Sequence, residues 1–517
     1  MDTLWIILLV TLALIGAPLF AIFGAASMLL FAGLPDTSIT GAANDVFSEK
    51  FADSPLLVTI PLFTFAGYVL AESGTPHRLV TLSRAWLGWM PGGLAMVCLM
   101  ASAFFTTFTG GSGITIVAIG GLLYPALLAD KYEENFSLGL VTTGGSLGLL
   151  FPPSVPMIIY GVVAGIMIEK LFLAGLIPGI ITVAALATYS SITGIKAKMR
   201  RTKFDASEAI KTLWEAKWEA LLPVALLGGM YSGLMRIHEA AAFTAIYTLI
   251  IEVFVYRDVS FRKDLPRIIR ESMTLVGAIL AILATAIGFT AFLIQARVPM
   301  MILDAMEGLI QSQVMFLIAL NVFLIGVGML MDIFSAIVVV VPLIVPIAQR
   351  FGVDPYHLGI VFLLNLEIGY MTPPVGLNLF ISSFRFNKPI TQLYRAVLPF
   401  IGLLGLALII VTYIPALSTW IPNMMESTAV DLDAPIEGME DEGDATGLDL
   451  DQLEGDDVGF DLDDLEVDDE VVDLDALEGE DPEGELDLDA LEEQDEDLQE
   501  ELDLEALEAE GSPEDAQ

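Results

Sequence analysis

Apolar residues in this chain come in long blocks, and the block lengths suit a lipid bilayer. Hydropathy and helix breakers together mark units at 3–33, 55–73, 92–129, 136–165, 168–195, 219–236, 239–256, 271–294, 313–349, 356–384 and 392–422. A helix needs about 20 mostly apolar residues to cross roughly 30 Å of hydrocarbon, so most units predict one spanning helix. The units 92–129 and 313–349 are too long for that. Each is interrupted near its middle, by Thr109-Gly110-Gly111-Ser112-Gly113 and by Gly326-Val327-Gly328 through Asp332. They predict re-entrant helical hairpins that enter and leave on one side. Irregular backbone at membrane depth is tolerated only where it is buried in protein or lines a wet cavity. The units 136–165 and 356–384 predict broken helices, since glycines and a proline pair interrupt each one (Gly144 to Pro153, Glu367 to Pro374). The first unit reads as one tilted helix or as two short ones folded at Gly16-Ala17-Pro18, and the second option matches the pair 219–236 and 239–256.

The two halves repeat. A shift of 221 positions carries Pro152-Pro153 onto Pro373-Pro374, Gly148 onto Gly369, Pro125 onto Pro346 and Gly67 onto Gly288. Paired interrupted segments in two halves of a membrane protein point to the binding site of a secondary transporter. The predicted fold is therefore an all-α polytopic membrane protein of two inverted structural repeats, each with a re-entrant hairpin and a broken transmembrane helix. The first repeat covers 1–195, a cytoplasmic amphipathic connector 196–218, and the second repeat 219–425. An acidic tail expected to be disordered covers 426–517.

Composition sharpens this. Hydrophobic residues make up 55% of the 517 and mean hydropathy is +0.71. The net charge of -43 is misleading, because 42 of the 66 acidic residues and no basic one lie from Glu426 onward. That leaves 24 acids against 23 bases in the body, so no basic face for nucleic acid exists. The tail repeats Leu448-Asp-Leu-Asp-Gln-Leu-Glu loosely, and such a density of like charge cannot collapse into a core. It reads as a solvated tail, or as a docking or cation-gathering segment. One cysteine, Cys98, excludes an intrachain disulfide, and three scattered histidines give no basis for a transition-metal site. Met1-Asp2-Thr3 leads straight into apolar residues without a basic start, so no cleaved leader is expected.

If neither hairpin crosses, the loops alternate in one way only. One side then collects 18 of the 23 basic residues, including the clusters Lys196–Lys217 and Arg257–Arg270. The positive-inside rule makes that side cytoplasmic. The first hairpin then opens inward and the second outward, and the tail lies on the outer side. Segments 75–90 and 203–218 mix Trp with basic residues, as amphipathic helices on a membrane surface do.

Breaking a helix in a membrane frees carbonyl oxygens, hard ligands suited to Na⁺, and frees helix N-termini that attract carboxylates. The first candidate Na⁺ site is Thr109, Gly110, Gly111 and Ser112 at the tip, with Gly145, Gly148, Phe151 and Pro153 opposite. The second is Gly328 and Asp332 at the tip, with Gly369, Thr372 and Val375 opposite. Ser146, Ser154, Ser335 and Asn378 are candidates for substrate binding, and Glu367, a rare intramembrane carboxylate, for coupling. The competing explanation is that these Gly and Pro residues only let helices pack closely. Glu72 and Glu239 sit at helix ends, where a structural role explains them. No basic residue falls in the expected cavity, so a substrate carboxylate meets dipoles, bound cations, or an arginine from an edge such as Arg297 or Arg385.

At these residues the chain resembles the large membrane subunit (M subunit) of tripartite ATP-independent periplasmic (TRAP) transporters. The resemblance covers about 1–422 and is carried by Ser-Leu-Gly-Leu-Leu-Phe-Pro-Pro-Ser-Val-Pro (146–156), Met-Asp-Ile-Phe-Ser-Ala (331–336) and Asn-Leu-Glu-Ile-Gly-Tyr-Met-Thr-Pro-Pro-Val-Gly-Leu-Asn (365–378). It implies Na⁺-driven uptake of an organic acid, commonly a dicarboxylate, sialic acid or keto acid. It also implies elevator-type alternating access, a periplasmic binding protein and a small four-helix (Q type) membrane subunit as partners, and a place in the bacterial inner membrane. The acidic tail is not a usual family feature, and its expected periplasmic side rests on the charge alternation alone. The first tip departs from the family, which more often shows Ser-Gly-Ser-Ser or Ser-Gly-Ser-Asn there. The runner-up is a stand-alone Na⁺/dicarboxylate symporter of a related inverted-repeat family. An ATP-driven permease is disfavoured, because no Gly-x-x-x-x-Gly-Lys-Ser/Thr loop occurs.

Overall fold

The computed structural model describes residues 11, 19–31, 55–198, 203–296, 301, 310 and 312–432. Whether 3–33 forms one span or two, the position of Arg297, and the form of the tail beyond Leu432 lie outside the described residues. Every regular element described is helical. Among the described residues, seven helices are long and apolar enough to cross a membrane, or up to nine if each of two bent pairs counts as one span.

In chain order the helices are α1 (Leu19–Phe31), α2 (Thr59–Glu72), α3 (Thr75–Leu87), α4 (Gly93–Thr109), α5 (Ser112–Ala129), α6 (Glu134–Gly144), α7 (Val155–Ala164) and α8 (Ile168–Lys196). They continue as α9 (Ala206–Glu215), α10 (Lys217–Tyr231), α11 (Ile237–Val255) and α12 (Asp264–Gln295). The last six are α13 (Gln313–Leu330), α14 (Ile333–Arg350), α15 (Pro355–Gly369), α16 (Leu377–Phe386), α17 (Ile390–Tyr413) and α18 (Ala416–Leu432). Shifted by 221 positions, the bounds of α5 become 333–350, those of α14, and the start of α6 becomes 355, that of α15.

Local chemistry explains the boundaries near the breaks. Gly110 ends α4 with a φ of 62°, a left-handed conformation that glycine adopts without steric cost. Asp332 starts α14: its carboxylate accepts from Phe334 N (3.1 Å) and Ser335 N (3.2 Å). Asp354 caps α15 in the same way, accepting from Tyr356 N and His357 N (both 2.9 Å), with Pro355 at the first helical position. Gly376 (φ 55°) precedes α16. Both Pro-Pro bonds in the breaks are cis.

Two boundaries differ from the sequence expectation. The second hairpin turns at Met331-Asp332, and α13 runs through Gly326 and Gly328, so Gly328 serves close packing on Gly369 rather than the turn, while Gly326 faces open space. The apolar unit 392–422 is two helices, because Pro415 disfavours helical backbone at Ile414. The second of them continues to Leu432, past the expected tail boundary at 425.

The arms of the second hairpin meet at its base. Phe316 stacks on Phe351 with ring centroids 4.7 Å apart, and Gln313 Nε2 donates to Gly352 O (2.9 Å). A large core joins residues of both hairpins, both broken helices, α8 and α17. A smaller core is separate from it and holds Val69, Val253, Val259, Leu265 and Ile268, from α2, α11, α12 and the loop before α12. Helices in lipid gain little from apolar burial alone, so close packing and interhelical hydrogen bonds hold such cores. Glu239 accepts from Arg236 N (2.8 Å), and Glu72 pairs with Arg267 (2.6 Å), so both have structural partners.

Candidate functional site

Each hairpin tip closes on its own broken helix. At the first, a Cβ added to Gly148 would lie 2.3 Å from Ala103 O and 2.5 Å from Thr107 N of α4. One added to Gly145 would lie 2.9 Å from Ser112 O, and one on Gly110 2.8 Å from the Val155 side chain. At the second, one added to Gly369 would lie 2.6 Å from Gly328 Cα, and Gly376 N donates to Met329 O (3.3 Å). Only hydrogen at these positions allows backbone to approach backbone. Ser112 therefore converges with Gly145, Gly110 with Val155 just past the break, and Gly328 with Gly369, while Gly148 packs on the α4 arm at Ala103 and Thr107 and Thr109 lies against Gly67 of α2.

The remaining predicted residues divide. The Phe151 ring packs against Gly179 of α8 instead of facing the tip. Pro153 is buried in the break, and Gly111 is extended (φ -130°) between the two arms. Asp332 and Ser335 engage each other, with Ser335 Oγ donating to Asp332 Oδ1 (2.5 Å) in the cap of α14. Thr372 Oγ1 donates to Ile368 O (2.8 Å), and Val375 is exposed. The first break is buried throughout apart from a half-buried Phe151, whereas Pro373, Pro374 and Val375 in the second are exposed.

Among the described residues, the buried Thr143 Oγ1, Ser154 Oγ and Asn378 Nδ2 here find no hydrogen-bond partner. Ser146 Oγ donates to Thr143 O (3.2 Å). Unpaired buried polar groups are costly, and in native proteins each calls for an explanation. Asn378 also ties the halves together. Ser112 Oγ at the first tip donates to Asn378 Oδ1 in α16 (2.7 Å), and Thr142 Oγ1 in α6 donates to Ser382 Oγ in α16 (2.8 Å).

Three threonines of the first hairpin complete the site and escape sequence reasoning. Thr106 Oγ1 lies 2.9 Å from Gly145 O and 2.8 Å from Thr115 Oγ1, while Thr107 Oγ1 lies 3.3 Å from Gly148 O. The hydroxyls thus meet the carbonyls that the break frees, and each such oxygen keeps a second lone pair. The signal was available: Thr106 and Thr107 interrupt an apolar run one turn before the tip. A cavity of about 580 Å³ lies elsewhere, between the end of α7, α12 and α14, and none of the predicted site residues lines it.

Residues 6–417 match the family described as "Tripartite ATP-independent periplasmic transporter, DctM component". The chain belongs to the DctM family. It is 33% identical over 439 residues to the C4-dicarboxylate TRAP transporter large permease protein DctM of Vibrio cholerae, covering 81% of this chain and 97% of that protein. It is 36% identical over 407 residues to the isethionate TRAP transporter permease protein DctMQ of Oleidesulfovibrio alaskensis, covering 78% of this chain and 63% of that longer protein. Among solved structures, the YdaH transporter of Alcanivorax borkumensis shares the fold, with a TM-score of 0.56 at 15% identity over 78% of this chain and 97% of that one. The expected TRAP large-permease identity therefore holds. DctM proteins are transport permeases, and the chain is a membrane protein of that family.

Proposed function

We propose that this DctM permease forms the ion and substrate path of a Na⁺-coupled uptake system for small organic anions, chiefly carboxylates. The observation carrying the reading is the double closure of a hairpin tip on a helix break, Ser112–Gly145 with Gly110–Val155 and Gly328–Gly369, joined by Ser112–Asn378. At the breaks four helices end (α4, α6, α13, α15) and four begin (α5, α7, α14, α16). Ending helices present carbonyls with partial negative charge to cations, and starting helices present amides with partial positive charge to anions. Cargo charge is thus met mostly by backbone dipoles. Cation binding draws tip and break together, which completes the anion pocket, so ion and substrate raise each other's affinity. Both cited relatives are named for small organic anions, which supports the substrate class.

In this reading the interlocked hairpins and broken helices travel as one body across the membrane, in the manner of an elevator. A periplasmic binding protein delivers the substrate, a small four-helix subunit braces the static part, and the tail faces the periplasm of an inner membrane. The test is uptake into proteoliposomes supplied with the binding protein and small subunit, under a Na⁺ gradient and under a K⁺ gradient of equal size. Uptake requires Na⁺ and is lost when Gly148 or Gly369 is replaced by Leu. Equal uptake under either gradient, or full activity in both variants, refutes the proposal. Uptake at full rate without the binding protein would favour a stand-alone symporter.

A further inference from the structure

The α2–α3 corner holds a buried charge cluster that lies outside the proposed ion and substrate sites. Arg78, in α3, directs its guanidinium at three carboxylates from three places: Glu219 of α10, Glu252 of α11 and Asp258 of the following loop. Glu219 and Glu252 are 2% and 0% exposed at their side chains, so the pairing is withdrawn from solvent. Each acid also has a second, neutral donor. Tyr256 OH reaches Glu219 Oε2 (2.9 Å), Thr75 Oγ1 reaches Glu252 Oε1 (2.9 Å), and Gly74 N reaches Asp258 Oδ2 (3.0 Å). The Tyr256 ring covers the other face of Arg78, with the guanidinium carbon 3.7 Å from its centroid. A planar fork of five N–H donors serves the three acids and the Thr75 hydroxyl together, whereas a lysine ammonium offers three donors from a single point and no planar face for the Tyr256 ring.

The corner itself looks like a hinge, because Ser73-Gly74 joins two helices bent 73° apart. The cluster denies it that freedom. A Cβ on Gly74 would meet Asp258 Oδ2 at 2.4 Å, and the acids that hold Arg78 belong to elements of the small separate core around Val253 and Val259 or lie beside it. At its other end, α3 runs through Gly88-Trp89-Met90-Pro91-Gly92 into α4, the first arm of the hairpin. Gly92 adopts a φ of 73° there.

We propose that Arg78 is a positioning residue for transport, anchoring the start of α3 to the static part of the protein so that the hairpin pivots at 88–92 and not at Ser73-Gly74. This rests on the moving-hairpin reading above. The experiment places spin-label pairs at the exposed positions His77/Ser260 and Asp130/Ser260, each as cysteines in a Cys98→Ala background. The full chain is reconstituted in lipid nanodiscs, and distances are read by pulsed electron resonance with Na⁺ and with choline. The His77–Ser260 distance is expected to stay constant while Asp130–Ser260 shifts or gains a second population on adding Na⁺. Arg78→Met should widen the His77–Ser260 distribution and depress uptake, and Arg78→Lys should not restore it. If Arg78→Met does not fold, Glu252→Gln, which keeps the shape and removes one charge, serves in its place. A His77–Ser260 distance that moves together with Asp130–Ser260, or an unchanged width in the variants, overturns the anchor. A static Asp130–Ser260 pair would instead count against the moving hairpin, with the variant widths still judging the anchor.

Discussion

Replacing Gly369 by alanine tests the tip-to-break contact with one carbon atom. The new Cβ would stand 2.6 Å from Gly328 Cα, 2.7 Å from Gly328 C and 3.0 Å from Met329 N, all backbone atoms without a rotamer to yield. Overpacking of a filled contact costs about 1–3 kcal/mol. The cost falls on the closed state, where tip and break touch, so it is subtracted from the coupling between cation binding and closure. A coupling loss of that size corresponds to about 5- to 150-fold in affinity. The half-saturating Na⁺ concentration for uptake into proteoliposomes should rise by that factor, with protein yield and monodispersity retained. Gly326→Ala is the control. It lies in α13, the hairpin arm that carries Gly328, nothing stands within 4 Å of its added Cβ, and alanine favours the helix by about 0.5–1 kcal/mol. Wild-type Na⁺ dependence in Gly369→Ala, or equal impairment in Gly326→Ala, would refute the argument that this contact carries ion coupling.

Further expectations follow the same geometry. Thr106→Val and Thr107→Val each remove a hydroxyl from a break carbonyl and should each lower stability by about 1 kcal/mol; thermal unfolding in detergent checks this, and a melting temperature unchanged in both would exclude the assigned hydrogen bonds. Ser112→Ala and Asn378→Ala should be non-additive, with a coupling energy of about 0.5–3 kcal/mol in a double-mutant unfolding cycle; strict additivity would mean that the bridge is not formed. Asp332→Ala should cost about 0.5–2 kcal/mol through loss of the α14 cap, and Asp332→Asn should recover most of it. If Asp332→Asn instead abolishes Na⁺ dependence while the melting temperature holds, the carboxylate acts on the ion directly.

Much of the fold was legible because the bilayer limits the options. Long apolar blocks, two of them overlong, and a 221-residue shift were enough to place the hairpins and breaks. The DctM motifs around the proline pairs pointed to the family. Other features needed three dimensions. Arg78 meets Glu219, Glu252 and Asp258 across 141, 174 and 180 residues, separations that hydropathy does not reveal. Asp332 reads in the sequence as a free carboxylate at a tip, yet a carboxylate one residue before a helix finds amide donors first. Thr106 and Thr107 look like ordinary polar scatter in a membrane helix, since their hydroxyls usually bond the preceding turn. Both do so here, to Ser102 O and Ala103 O, and the second contact to a neighbouring carbonyl becomes visible only with the break in place. Gly328 marks close packing, and a chain read without partners has no means of separating packing from turning.

The Ser112–Asn378 and Thr142–Ser382 bridges carry a practical corollary. Both seat α16 of the C-terminal half on elements of the N-terminal half, so neither half is a self-sufficient module. A protein severed in the 199–202 connector should regain transport only when both fragments are made together and find each other in the same membrane. Swapping one half for that of a distant relative would have to preserve the seat as well as the helix it receives.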